Sequence, residues 1–219
     1  MTTPSTPPHF TVQHPAGYEE LIRLAAAEPL TPACDHFYFL RHGQTGRNAL
    51  RIFQAVDEPL SELGLQQAAR AAAVLAGEPI RTLVASDANR ALTTAKAVGA
   101  TLKLVPLESE DLRERHFGDL IGTSSANIDW ACAPENGETL ASFVERKRGA
   151  LAAALAEPAP VLVVAHGGTL YVLAALLGVP IGPDVLGNAQ PLKFERTGAK
   201  WTAYALAQNV DGGGGGAIA

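Results

Sequence analysis

Short unbroken apolar runs alternate along this chain with longer stretches whose apolar residues recur every third or fourth position. Phe37-Tyr38-Phe39-Leu40, Thr82–Ser86 and Val161–Ala165 are runs of the first kind, too short for helices and rich in aromatic and β-branched residues. They predict buried strands. Stretches of the second kind predict helices. Tyr18 to Ala27 carries a stripe of Tyr18, Leu21, Ile22 and Leu24–Ala25 and stops before Pro29. A helix from the N-cap Ser61 to Ala76 presents Leu65, Ala68, Ala72 and Leu75, and Gly77 and Pro79 end it. Further helices are expected over about 89–98, over Leu140–Leu155 behind a possible cap at Thr139, and over Leu170–Leu177 after Gly167-Gly168. Asn48 to Phe53 reads as a short helix or loop, and Leu102–Val105 as a strand. The charges of 108–115 are expected to be mostly solvated, Glu114 excepted, and 119–137 looks irregular. Two last strands, near 191–196 and 201–206, suggest an antiparallel edge to the sheet.

The polar residues that follow the strands carry the chemistry. Ligands of open α/β sheets bind beyond the carboxyl ends of the strands. The first strand ends in Arg41-His42-Gly43, the last buried one in His166-Gly167-Gly168, and Arg90 follows the second by one helical turn. Arg90 is a cation in the first turn of a helix, where the dipole opposes it; an anion held at the same helix end would explain it. Gly167 and Gly168 open a helix whose backbone N–H groups can face a phosphate. A bland reading makes each of these an incidental base in a loop. His42 and His166 could also be metal ligands, but no carboxylate stands at ligand spacing.

The ordered segments Arg41-His42-Gly43-Gln44-Thr45 with Asn48, Asp57–Gly64, Ser86–Ala91, Glu114 with Phe117-Gly118 and Gly122, Pro134–Thr139 and Ala165–Gly168 resemble the histidine phosphatase superfamily, the phosphoglycerate-mutase-like group. The resemblance runs from Phe37 to Leu177. It implies a three-layer α/β/α sandwich with a mostly parallel central sheet and an antiparallel edge. It also implies phosphoryl transfer through a phosphohistidine. His42 would be the nucleophile and Glu114 the acid and then the base. Arg41, Arg90 and His166 would hold the equatorial phosphoryl oxygens, with Asn48, Gln54 and the Gly167 backbone as further substrate contacts. This fits elementary chemistry: Arg forks match phosphate oxygens, an imidazole can divide one hard displacement into two easier ones, and one carboxyl group can serve both steps. Nothing here calls for a metal or another cofactor. Gln44 stands where the family often has Glu, outside the phosphate clamp.

Composition narrows the partners. With 219 residues, 47% hydrophobic, the chain suits one ordinary domain with a sizeable core. A net charge of −5 argues against nucleic acid, which asks for a basic face, but leaves a small phosphorylated substrate open, since local cations act at close range. Cys34 and Cys132 stand apart, without metal or disulfide spacing, as in a reducing compartment. No signal-peptide pattern opens the chain, and its longest apolar stretch, Leu170 to Val179, is too short to span a bilayer. A cytoplasmic protein with no membrane partner is expected, with a homodimer possible. The expected organisation is an N-terminal extension over 1–35, disordered in 1–15, a catalytic domain over 36–210 and a flexible Gly-rich tail over 211–219. His9, His14, His36 and His116 match no motif, and Trp130 reads as core before substrate wall. Two activities fit: hydrolysis of small phosphate esters, and phosphoglycerate-mutase isomerisation through the same phosphoenzyme. The stretch Asp119 to Asn136 has no Lys or Arg to hold a second anionic group, which favours hydrolysis.

Overall fold

A computed structural model describes residues 15–206. The predicted disorder of 1–15 (Pro15 apart), the predicted flexible tail 211–219, His9 and His14 lie outside the described residues. The strands are β1 (His36–Arg41), β2 (Thr82–Ser86), β3 (Leu107–Ser109), β4 (Val161–Ala165), β5 (Pro191–Thr197) and β6 (Lys200–Ala205). They form one six-stranded sheet in the order β3-β2-β4-β1-β5-β6. The pairs β1–β4, β2–β4 and β2–β3 are parallel, whereas β5 and β6 form the antiparallel edge.

Helices cover both faces of the sheet, which is why the central strands are continuously apolar. Alternate side chains of β1 point to opposite sides. Phe37 and Phe39 join Val161 and Val163 in a cluster with α1 (Tyr18–Ala26), α5 (Leu140–Leu155) and α6 (Gly167–Leu177). Tyr38 and Leu40 join Leu162 and Val164 against α3 (Glu62–Leu75) and α4 (Asn89–Leu102). The result is the expected α/β/α sandwich.

Several local expectations are corrected. The short helix α2 is Gly46–Ala49 and starts earlier than predicted, because Thr45 and Asn48 form a capping box. Leu65 is 51% exposed. Ala68, Ala72 and Leu75 are buried as expected, with Gly64 and Ala71 beside them; Leu65, one residue on from Gly64, is turned about 100° away from that face. Ile22 of α1 likewise faces outward at 41% exposure. No strand forms over Leu102–Val105: α4 extends to Leu102 and closes with Lys103 at φ 58, leaving Val105 86% exposed. The strand there is β3, after the turn. Arg115, expected among solvated charges, is 3% exposed and donates to the carbonyls of Trp130, Cys132 and Glu138.

Candidate active site

The sheet order places the carboxyl ends of β2, β4 and β1 side by side, and the sequence-predicted residues meet there. Arg41 and Ala165 are register partners, and the His42 N–H continues the ladder to the Ala165 carbonyl at 2.9 Å. His42 and His166 therefore leave adjacent strand ends with ring centroids 5.1 Å apart. Arg41, His42, Asn48, Gln54, Arg90, Glu114 and Gly167 all line one cleft of about 310 Å³. His166 does not reach its surface and lies fully buried behind His42.

Hydrogen bonds set the state of each ring. His42 Nδ1 lies 2.7 Å from the Gly43 carbonyl, which can only accept. Nδ1 therefore carries the proton and Nε2 keeps its lone pair. Burial, then the charges of Arg90 and Arg41, hold the His42 imidazolium well below the ordinary value of 6.5, so the ring is neutral. His166 is lowered in the same way, by burial first and then by Arg90. Its Nε2 lies 3.0 Å from the Ser86 hydroxyl.

The cations are held but not neutralised. Arg41 donates through Nη1 to the Leu186 carbonyl, and Arg90 through Nη1 to the Ala55 carbonyl at 2.8 Å. Arg41 Nε, Arg90 Nε and His166 Nδ1 are buried without a hydrogen-bond partner in the protein. A buried donor left in this way is costly unless something accepts from it. Arg41 and Arg90 line the cleft with the neutral His42, and guanidinium donors beside a neutral histidine are what a phosphoryl group would satisfy.

Glu114 faces these groups from the other wall. Its carboxylate accepts the N–H groups of Gly168 and Arg115, each at 2.9 Å. Its backbone is clamped from α5. Arg146 binds the Glu138 carboxylate at 2.7 and 2.8 Å and donates to the Asp111, Arg113 and Glu114 carbonyls. Lys147, fully buried and lowered to about 6 by burial, also donates to the carbonyls of Asp111 and Arg113. Gly168 is required at its position: a Cβ there would lie 2.6 Å from Trp130 Cη2 and 3.0 Å from Glu114 Cδ.

The two polar side chains expected as further contacts serve the loop as well. Asn48 caps α2, and its Oδ1 also receives the Asn188 amide at 3.4 Å. Gln54 Oε1 accepts the Thr45 hydroxyl at 2.8 Å, which leaves its NH₂ as the donor for the cleft. Gln44 is structural: its carbonyl receives Ser61, and Gly43 and Gly64 pass so closely that a Cβ on Gly43 would lie 2.5 Å from the Gly64 carbonyl oxygen. Among the charged residues nearby, Arg47 pairs with Glu58 and Asp87 with Arg113, whereas Arg51 lines the cleft. Trp130 is both things that were opposed for it, 5% exposed in the core and a wall of the cleft. Ser86, Leu186, Tyr171 and Asn188 were not foreseen; their roles depend on contacts between distant segments, and only Ser86, at a strand end, carried a signal. Among the described residues, no group of three or more His, Cys, Asp or Glu side chains converges as a metal site.

The sequence model of the histidine phosphatase superfamily (branch 1) matches residues 37–208. The chain is similar to the glucosyl-3-phosphoglycerate phosphatase of Mycobacterium tuberculosis (strain CDC 1551 / Oshkosh), 38% identical over 188 residues that cover 74% of this chain and 84% of that protein. It is also similar to a probable phosphoglycerate mutase of Yersinia pestis, 32% identical over 65% of this chain and 75% of that protein. Among solved structures, the mycobacterial glucosyl-3-phosphoglycerate phosphatase complexed with VO3 matches with a TM-score of 0.66 at 33% identity, covering 78% of this chain and 97% of that one.

Proposed function

We propose, since this chain belongs to branch 1 of the histidine phosphatase superfamily, that it is a phosphomonoesterase working through a phosphohistidine, with its catalytic domain over residues 36–210. The observation that carries this reading is the set of buried, unpartnered donors on Arg41, Arg90 and His166 around the neutral His42. In the first step His42 Nε2 attacks phosphorus, the ester P–O bond breaks, and the Glu114 carboxyl gives its proton to the departing alkoxide. In the second, the Glu114 carboxylate takes a proton from water, the water oxygen attacks phosphorus, and the N–P bond breaks to release phosphate. Arg41, Arg90, His166 and the Gly167 N–H hold the equatorial oxygens, where charge spreads in the transition state. Asn48 and Gln54 contact the ester.

Glucosyl-3-phosphoglycerate, named for the mycobacterial relatives, is the first substrate to test, because its alcohol joins a sugar to a carboxylate. The cleft is lined by Ile128, Trp130 and Tyr171 and also by Arg51. The mutase reading keeps the same phosphoenzyme and is supported by the Yersinia relative. Phosphate release should be measured over a panel of phosphate esters without added metal, and enzyme labelled from substrate and quenched in alkali should be mapped by peptide, since a phosphohistidine survives alkali and is lost in acid. The expected label is on His42, and His42→Ala should lose turnover. Full activity in His42→Ala would end the covalent reading.

A further inference from the structure

Helix α1 lies before residue 37, where the family match begins, yet its N-terminal turn reaches the active-site cleft. Pro15 lines that cleft with Ile128 and Trp130. Ala16 forms a parallel bridge with Asp129, and the Trp130 N–H donates to the Ala16 carbonyl at 2.8 Å. Gly17 follows at φ 75, and a Cβ there would lie 2.6 Å from Asp129 Oδ1 and 2.9 Å from the Trp130 carbonyl carbon. Only glycine takes this turn without strain and lets the two backbones close. Tyr18 sets its ring edge-on to Tyr171 at 5.0 Å, and Tyr171 in turn meets Trp130 at 6.0 Å. Behind this turn, Leu21 and Ala25 are fully buried, and Arg148 of α5 donates to the carbonyls of Leu24 and Glu28.

A helix that only covered the core would need its apolar stripe and nothing more. This one adds a left-handed turn and a strand-like bond, both spent on Asp129–Ala131, in a stretch with little regular structure of its own. The side chains flanking that bond, Ile128 and Trp130, are the apolar wall of the cleft.

We propose that residues 15–18 are a specificity latch. They hold the Ile128–Trp130 wall in the cleft and so select phosphate esters whose alcohol carries a ring or another apolar face. The substrate half of this proposal rests on the phosphatase reading; the latch itself does not.

Two variants of the full-length enzyme test it. Gly17→Ala forces the turn out of place. Tyr18→Leu removes the contact with Tyr171 while Leu21 and Ala25 keep α1 docked. Hydrogen–deuterium exchange reads the latch directly: exchange over 128–132 should rise at least about tenfold in Gly17→Ala. Unchanged exchange would overturn the latch whatever the activity does. Steady-state kinetics with phenyl phosphate and acetyl phosphate read specificity. The KM for phenyl phosphate should rise about tenfold or more in both variants, with kcat held within about threefold. Acetyl phosphate, which has no ring to seat, should change by less than about threefold on both constants. Equal losses on the two substrates would reduce the latch to a structural support and overturn the specificity claim. Wild-type enzyme that released phosphate from neither substrate would overturn the specificity claim, while exchange would still decide the latch and the panel of phosphate esters the phosphatase reading.

Discussion

His42 and His166 are buried side by side under the charges of Arg90 and Arg41, and burial is the larger cause of their lowered pKa values. For a base, a lowered folded value means that the neutral ring persists as pH falls. The unfolded chain binds protons near 6.5 that the folded protein does not, so stability declines as pH drops below 6.5 and is untouched above it. Each histidine contributes up to about 1.4 kcal/mol per pH unit within that window. Histidine ring NMR from about pH 8 to about pH 5 checks the prediction: both rings should stay neutral with His42 protonated at Nδ1. A midpoint near 6.5 for His42 would contradict it. The same burial gives the nucleophile its lone pair at neutral pH, so His42 needs no neighbouring base.

Helix α6 acts on the site through its first turn. His166 supplies the N-cap, Gly167 lines the cleft and Gly168 gives its N–H to Glu114. Arg146 and Lys147 of α5 hold the Glu114 backbone from behind, so two helices of one layer orient a single carboxylate. Gly168→Ala is expected to push Glu114 and Trp130 away and to lower kcat by about 10²-fold, within the usual worth of acid–base catalysis. The loss should be greatest for alkyl phosphates and small for nitrophenyl phosphate, whose phenolate leaves without a proton. Equal losses on both would show that Gly168 serves packing and not the acid.

Across the whole molecule a net charge of −5 coexists with a cleft that gathers Arg41, Arg51, Arg90 and Arg115 against Glu114. Close cations outweigh a diffuse negative surface for a phosphate that enters. The second anion that a mutase must hold is served less well. Asp119 to Asn136 carries no Lys or Arg. Arg47 and Arg113 are paired with carboxylates, and Arg115 is committed to three carbonyls. Arg51 remains beside the cleft, donating to the Ala126 carbonyl. Net phosphate release should therefore exceed interconversion of 2- and 3-phosphoglycerate. A coupled mutase assay with and without 2,3-bisphosphoglycerate, run beside a phosphate-release assay, decides between them. Mutase turnover above hydrolysis would promote the isomerase.

Strand and helix periodicity, the caps at Ser61 and Thr139, and the Arg-His-Gly and His-Gly-Gly strand ends were all legible from the chain. They depend on neighbours a few residues apart, where sterics and burial leave little choice. That is why the strands, their antiparallel edge and the delivery of Arg41, His42, Arg90 and His166 to strand ends could be anticipated, while the sandwich and the place of Glu114 beside them were what the family resemblance implied. The exposure of Leu65 and the burial of Arg115 could not, because each was decided by a partner far along the chain. So were the Ser86 contact of His166 and the hold of Arg146 on Glu114. The two glycines show the division most plainly. Gly168 reads in sequence as a phosphate-loop residue, but its bare Cα is demanded by Glu114 and Trp130, and Gly17 carries no signal until Asp129–Ala131 are packed against it. Local patterns determine which elements form and what chemistry they bring to their ends. Only close packing of distant segments decides which side chains lose water, and with it their charge, their proton and their room to move.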